Sequence, residues 1–280
     1  MEAAGGPQDK ASAALSFFCN NLAQIEALAR PYQPREMSQE ALDHQLRYAA
    51  IGGALERLRE LLEADADPGV VDNDGWVPLH LACCNGHDNC IAPLLSSGAD
   101  PRAADGLGET PLHWACLNGH DNCIAQLLAK GADSRAADSV GWTPLHFACS
   151  SGHAPCIAPL LQAGADPRVA DSGGRTPLHL ACHIGRAACI AELLRNGADP
   201  RAADGLGETP LHQACRFGHA ACIAPLLDRG ADMSAVNNNG RTPRTLAEER
   251  DDESGAECLA ALEAWKRQVG RLTKPARCRT

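Results

Sequence analysis

The sequence predicts an all-α protein, a solenoid of stacked helix-turn-helix units joined by β-hairpin-like loops. Three observations predict it. The string Thr-Pro-Leu-His starts at Thr110, Thr143, Thr176 and Thr209, with a variant from Val77 and a degenerate form from Thr242, so each start follows the last by 33 residues. Gly-Ala-Asp recurs in the same phase from Gly98, Gly131, Gly164, Gly197 and Gly230. Within a period the apolar residues fall at helical spacing, and a unit this short cannot bury a core alone, so neighbours must stack.

The elements follow in order. Residues 1–43 are an N-terminal extension in which Leu15, Phe18, Leu22, Ile25 and Leu28 predict an amphipathic helix over 11–30, ended by Pro31 and Pro34. It reads as an added cap on the first repeat, with a partner-binding helix as the other reading. Residues 44–76 keep Leu46, Ala49, Leu58, Leu61 and Leu62 but lack the Thr-Pro start, as a capping repeat should. Five full repeats follow: 77–109, 110–142, 143–175, 176–208 and 209–241. In the second, Thr110 is an N-cap whose hydroxyl can accept an orphan N–H. Pro111 suits the first helical position. Leu112, Ala115 and Cys116 make one face, and Asn118-Gly119 breaks the helix. A second helix runs from Asp121 to Lys130 with Ile124, Leu127 and Leu128 on one side, and Gly131 ends it. Residues 132–141 form an extended connection with a turn. Val77 lacks the Thr hydroxyl, at a cost of about 1 kcal/mol. Pro93, Pro159 and Pro225 fall inside second helices, away from the Ile-Leu face, and predict small outward kinks. Residues 242–265 form the C-terminal capping repeat. Residues 266–280 hold Lys266, Arg267, Arg271, Lys274, Arg277 and Arg279 and no acid, which reads as a solvated tail, or as an import signal or contact for an acidic partner.

The 33-residue unit with its T-P-L-H-x-A string resembles the ankyrin repeat family, over about residues 44–262. The resemblance implies a fold without chemistry of its own that binds another protein on a concave face made by first helices and hairpin tips. Carried over position by position, the tips are Trp76, Glu109, Trp142, Arg175, Glu208 and Arg241. The inner helix face is Cys84, Asn85, Leu117, Asn118, Ser150, Ser151, His183, Ile184, Arg216 and Phe217. The position before the core Ala is Leu81, Trp114, Phe147, Leu180 and Gln213. Interface energy concentrates in Trp, Tyr and Arg, so Trp76, Trp114, Trp142 and Arg216 are the expected anchors. Trp114 and Phe147 also fit as fillers between repeats.

Other patterns compete with that reading. His113, Cys116, His120 and Cys123 spell a candidate zinc site, repeated at His80-Cys83-His87-Cys90, His146-Cys149-His153-Cys156 and His212-Cys215-His219-Cys222. The family, however, places structural His at both positions, and free Cys packs as a small hydrophobe. Adjacent-repeat cysteines are expected about 10 Å apart, one helix layer, so no ladder site forms. Arg186 stands where the fourth repeat should carry its second His. Disulfides of the Cys116–Cys123 type are disfavoured in a reducing compartment. Cys84 lies outside the Cys columns and is the candidate reactive thiol, with Cys278 in the tail. Arg102, Arg135, Arg168 and Arg201 are expected to pair with Asp105, Asp138, Asp171 and Asp204, or to line up for an acidic partner. Gly106-Leu107-Gly108 and Gly205-Leu206-Gly207 fail as phosphate loops, because no strand precedes them and Pro replaces the third Gly.

Composition narrows the function. The chain has 280 residues, a net charge of −10, 45% apolar residues, 4% aromatics and 14 Cys. No stretch reaches the 18 or so apolar residues of a membrane helix, so a soluble chain is expected. The acidic balance argues against generic nucleic-acid binding. The first ten residues lack a signal's apolar core, so cytoplasm or nucleus is the expected location. No catalytic constellation breaks the repeat, so neither an enzyme, a cofactor nor a small-molecule substrate is expected. The partner is another protein. A regulatory protein acting through its basic tail is the alternative, and a zinc protein the remote one.

Overall fold

The computed structural model describes residues 37–272, with no side chains described beyond Val269. The N-terminal helix expected over 11–30, and Cys278 with the last three tail cations, lie outside the described residues. Those described form two units that divide between Asp166 and Pro167. The first unit holds α1 (Gln39–Gly52), α2 (Leu55–Glu63), α3 (Pro78–Cys84), α4 (Asp88–Ser96), α5 (Pro111–Asn118), α6 (Asp121–Ala129), α7 (Pro144–Ser151) and α8 (Ala154–Gln162). The second holds α9 (Pro177–His183), α10 (Ala187–Arg195), α11 (Pro210–Arg216), a 3-10 turn (Ala220–Cys222), α12 (Ile223–Asp228), α13 (Pro243–Glu248) and α14 (Glu253–Leu272). No strand occurs among the described residues; the hairpins are turns.

Each unit has two helix layers. In the first, α1, α3, α5 and α7 pack in sequence, and so do α2, α4, α6 and α8 behind them. In the second unit α9, α11 and α13 form one layer and α10, α12 and α14 the other. The core lies between the layers: Leu79, Ile91, Leu94, Leu112, Ile124 and Leu127 are fully buried, together with Cys83, Cys90 and Cys116.

The repeated His joins one repeat to the next. Thr110 N–H donates to His113 Nδ1 at 2.9 Å, and the Thr110 hydroxyl lies 2.9 Å from the same nitrogen. That leaves the proton on Nε2, which donates 3.2 Å to the Trp142 carbonyl, 29 residues on. His80, His179 and His212 reach the Glu109, Glu208 and Arg241 carbonyls in the same way, at 3.0, 3.0 and 3.1 Å. The helix start is therefore capped by the imidazole as well as by Thr. Val77, without a hydroxyl, still donates its N–H to His80 Nδ1 at 3.2 Å, so the cap survives there. At the C-terminal end Thr245 replaces His, and its hydroxyl accepts the Thr242 N–H at 2.8 Å. At the N-terminal end Ser38 caps α1, accepting the Ala41 N–H at 3.4 Å.

These imidazoles are built to be neutral. Burial, before any other influence, pushes His80, His179 and His212 below the ordinary 6.5. The unfolded chain then binds protons first, so stability rises with pH across this range. The contribution is complete above about pH 6.5 and is lost as pH falls toward the folded-state values. Urea midpoints are expected to be flat from pH 8 to 7 and to fall between about pH 6.5 and 5. A midpoint that rises on acidification contradicts this.

The Arg ladder does not pair as expected. Nε of Arg102, Arg135, Arg168 and Arg201 donates to the carbonyls of Gly131, Gly164, Gly197 and Gly230, at 2.8, 2.6, 2.8 and 2.6 Å. Each Arg thus holds the glycine just past the end of the following second helix, tying one repeat to the next. The aspartates serve their own hairpins instead: Asp105 Oδ1 accepts from Leu107 and Glu109 N–H at 2.9 and 2.8 Å, and Asp204 Oδ1 from Leu206 and Glu208 at 2.9 Å each.

Helices α4 and α8 include Pro93 and Pro159. At Pro225 the second helix begins instead as the 3-10 turn followed by α12. The last helix runs seven residues past the expected edge of the capping repeat, to Leu272, so Lys266 and Arg267 are exposed positions on a helix and not in an irregular tail. Buried Cys258 and Leu262 recur at helical spacing, and Trp265 Nε1 donates to Asp228 at 2.8 Å, which ties this stretch down.

Candidate binding faces

In the first unit most expected contact residues are core. Trp114 is 5% exposed, Trp142 4%, Leu117 4% and Phe147 none. The first helices stack one repeat apart, so a large side chain on one fills the space against the next. Trp142 meets Phe147 edge-on at 5.5 Å, and His113 meets Phe147 at 5.1 Å. Trp76 lies 4.4 Å from Trp114 and stays half-buried. Trp114, Trp142, Leu117 and Phe147 are thereby corrected from contact residues to packing residues. Asn118 is half-buried and structural: its amide donates 3.1 Å to the Cys84 carbonyl and 3.2 Å to the Trp114 carbonyl. Glu109 is buried as well, its carbonyl taken by His80.

Cys84 is corrected too. Its thiol is half-buried, and desolvation pushes it up to about 12 against the contrary pull of the Asn118 amide. A thiolate is the reactive form, so this thiol is quiet at neutral pH. Brief iodoacetamide treatment of the native protein at pH 7.5, followed by peptide mapping, is expected to leave Cys84 at least tenfold less labelled than after denaturation. Equal labelling in both states contradicts the burial.

The His and Cys columns do not converge on a metal. His87, His120 and His219 donate Nε2 to the carbonyls of Ile51, Cys84 and His183, 36 residues back, at 2.8, 3.2 and 3.0 Å. No group of three His, Cys, Asp or Glu among the described residues is arranged to hold an ion. None of the twelve described cysteines is in a disulfide. Burial, and after it the neighbouring Cys123 thiol, push the Cys83 thiol well above its ordinary value.

The second unit exposes a different set. Arg175 is exposed and grips Asp171 through Nε at 2.9 Å and Nη2 at 2.8 Å. His183 is exposed, and Ile184 beside it is half-buried at the end of α9. The His183 ring lies 4.0 Å from that of Phe217, which is 37% exposed. Burial first, then the Arg175 and His219 charges, hold His183 below its usual value, against the raising effect of Gln213. Its Nδ1 is 3.4 Å from Gln213 Oε1. Glu208, expected at an exposed tip, is 2% exposed. It accepts from Gln213 and Asn237 at 3.0 Å each and pairs with Arg216, which is why it tolerates burial. Arg241 is exposed and pairs with Glu249 at 3.1 Å. This Glu208 network escaped the sequence reading. Its signal was Gln213, a polar residue in a column otherwise Leu, Trp or Phe.

The family model described as ankyrin repeats (3 copies) matches in overlapping windows, residues 14–105, 46–138, 88–171, 127–204, 159–237 and 187–266. Among solved structures, the crystal structure of the human ASB11 ankyrin repeat domain is similar, at 32% identity and a TM-score of 0.70, over 77% of this chain and 96% of that one. No curated protein matches the chain.

Proposed function

Because the chain belongs to the ankyrin repeat family, whose repeats are protein–protein interaction modules, we propose that it is a non-catalytic scaffold, adaptor or inhibitor that holds a partner protein on its exposed inner-face and hairpin-tip residues. The observation that supports it best is Phe217, a large aromatic 37% exposed with its ring tilted against that of exposed His183, whereas Trp114, Trp142 and Phe147 are buried. Partially exposed aromatics beside Arg are the usual anchors of an interface. The working faces are Trp76 in the first unit and Arg175, His183, Ile184, Arg216, Phe217 and Arg241 in the second. A cytoplasmic or nuclear location fits the twelve described cysteines, none of them in a disulfide, which suits a reducing compartment. No described helix is long and apolar enough to cross a membrane.

The second reading rests on Lys266 and Arg267, exposed on α14, as the start of a basic segment that contacts nucleic acid or the import machinery. Affinity capture with mass spectrometry separates the two. On the first reading Trp76→Ala and Phe217→Ala each deplete the captured partner about tenfold, and deletion of 273–280 does not. Capture that survives both substitutions but fails on the deletion favours the basic segment.

A further inference from the structure

We infer that the inner face of the second unit binds an acidic peptide segment, its one aromatic or aliphatic side chain laid on Phe217 and His183 and its carboxylates at Arg175 and Arg216. The inference rests on the protein-binding reading and names the chemistry of the partner. Two carboxylates underlie this face and are almost wholly sunk: the Asp171 side chain is 1% exposed and that of Glu208 2%. Their guanidinium partners are 44% and 33% exposed, so the cationic ends meet solvent while the anionic ends do not. Arg216 uses Nε and Nη2 on Glu208, and its side chain is still 33% exposed.

The pieces are contiguous. Phe217 touches His183, His183 touches Gln213, Gln213 bonds Glu208, and Glu208 holds Arg216. Arg175 lies close enough to His183 to depress its protonation. Acids from other elements near it are Asp204, half-buried beside Gln213, Asp252, paired with the Arg250 that bonds the Arg216 carbonyl, and Glu249, paired with Arg241. Charge supplies the selectivity. The chain carries −10, so an acidic segment is repelled by most of it and is oriented toward the cationic face. Guanidinium groups match carboxylates in forked geometry, and a ring pair accepts one apolar side chain, not a run of bases.

Fluorescence anisotropy on the full chain tests this with a labelled peptide of about twelve Glu and Asp residues around one central Phe. Binding is expected to weaken at least tenfold when Phe is replaced by Ser, when Lys replaces the acids, or when salt rises from about 50 to 500 mM. Phe217→Ala and Arg175→Gln are each expected to weaken it about tenfold with the circular dichroism spectrum unchanged. Lys130→Gln, which removes an exposed cation of the first unit, is expected to have no effect. Failure to bind, equal binding of the Lys peptide, tighter binding of a single-stranded DNA oligomer, or unchanged affinity in both variants each overturns the inference. If the peptide fails while Phe217→Ala still depletes the captured partner, the acidic chemistry is wrong and the protein-binding reading stands.

Discussion

Replacing Gly119 by Ala is expected to lower stability by about 3 kcal/mol, far more than the same change at Gly131. Both glycines have positive φ, +74° and +86°. An Ala in that conformation costs about 1 kcal/mol at either site. The difference is what a Cβ meets. At Gly131 nothing lies within 4 Å, whereas at Gly119 the His153 Nδ1 would be 2.5 Å away. Cγ and Cε1 of that ring would lie 2.7 and 2.8 Å from the same Cβ, so the whole ring at the start of α8 has to shift and not just its tip. Urea midpoints of the two variants measure the gap. Adding His153→Ala to Gly119→Ala removes the obstacle and should recover the excess loss, leaving the backbone strain. Equal loss at Gly119 and Gly131 would show that the ring contact does not matter.

Arg216→Met is expected to cost about 3 kcal/mol, because it strands the Glu208 carboxylate in the protein with its cation removed. Gln213 and Asn237 still donate to that carboxylate, which keeps the loss below that of a bare buried charge. Glu208→Gln in the same chain removes the stranded charge and should restore most of the loss. The double-mutant cycle reads the coupling directly. Additive losses would mean that Arg216 acts through packing alone. Arg175→Gln in the peptide test likewise removes the cation from a sunken carboxylate, that of Asp171, which keeps the Gly173 and Arg175 backbone N–H donors, so its stability is read alongside its affinity.

The repeat was legible because identical environments demand identical residues. Pro111 at a helix start, Gly131 at a helix end and Leu127 in the core do the same work every 33 positions. The helix pairs could therefore be placed from one period. The Arg ladder was visible as a ladder, but its acceptors were not. Arg102 shares its loop with Asp105, and yet its bond is to Gly131, 29 residues on. Sequence proximity favoured the wrong acceptor because the stack brings the next helix end closer than the local carboxylate. Trp114 and Trp142 failed in a related way. A Trp at an inner position looks like an anchor until the next repeat covers it. Phe217, one position past the end of α11, meets the His183 ring and remains 37% exposed.

What the sequence by itself determined is the unit: two short helices, a capped start, a glycine-ended second helix, and an acidic chain of paired layers. Those follow from backbone geometry and apolar spacing within about thirty residues, which any one period contains. What only the tertiary structure decided is which irregular side chains face outward, which carboxylates are sunk beneath arginines, and where each imidazole sends its proton. Exposure and electrostatics belong to neighbours on other repeats, because the partner of a group at one position lies 29 to 36 residues away and its distance is set by the stacking.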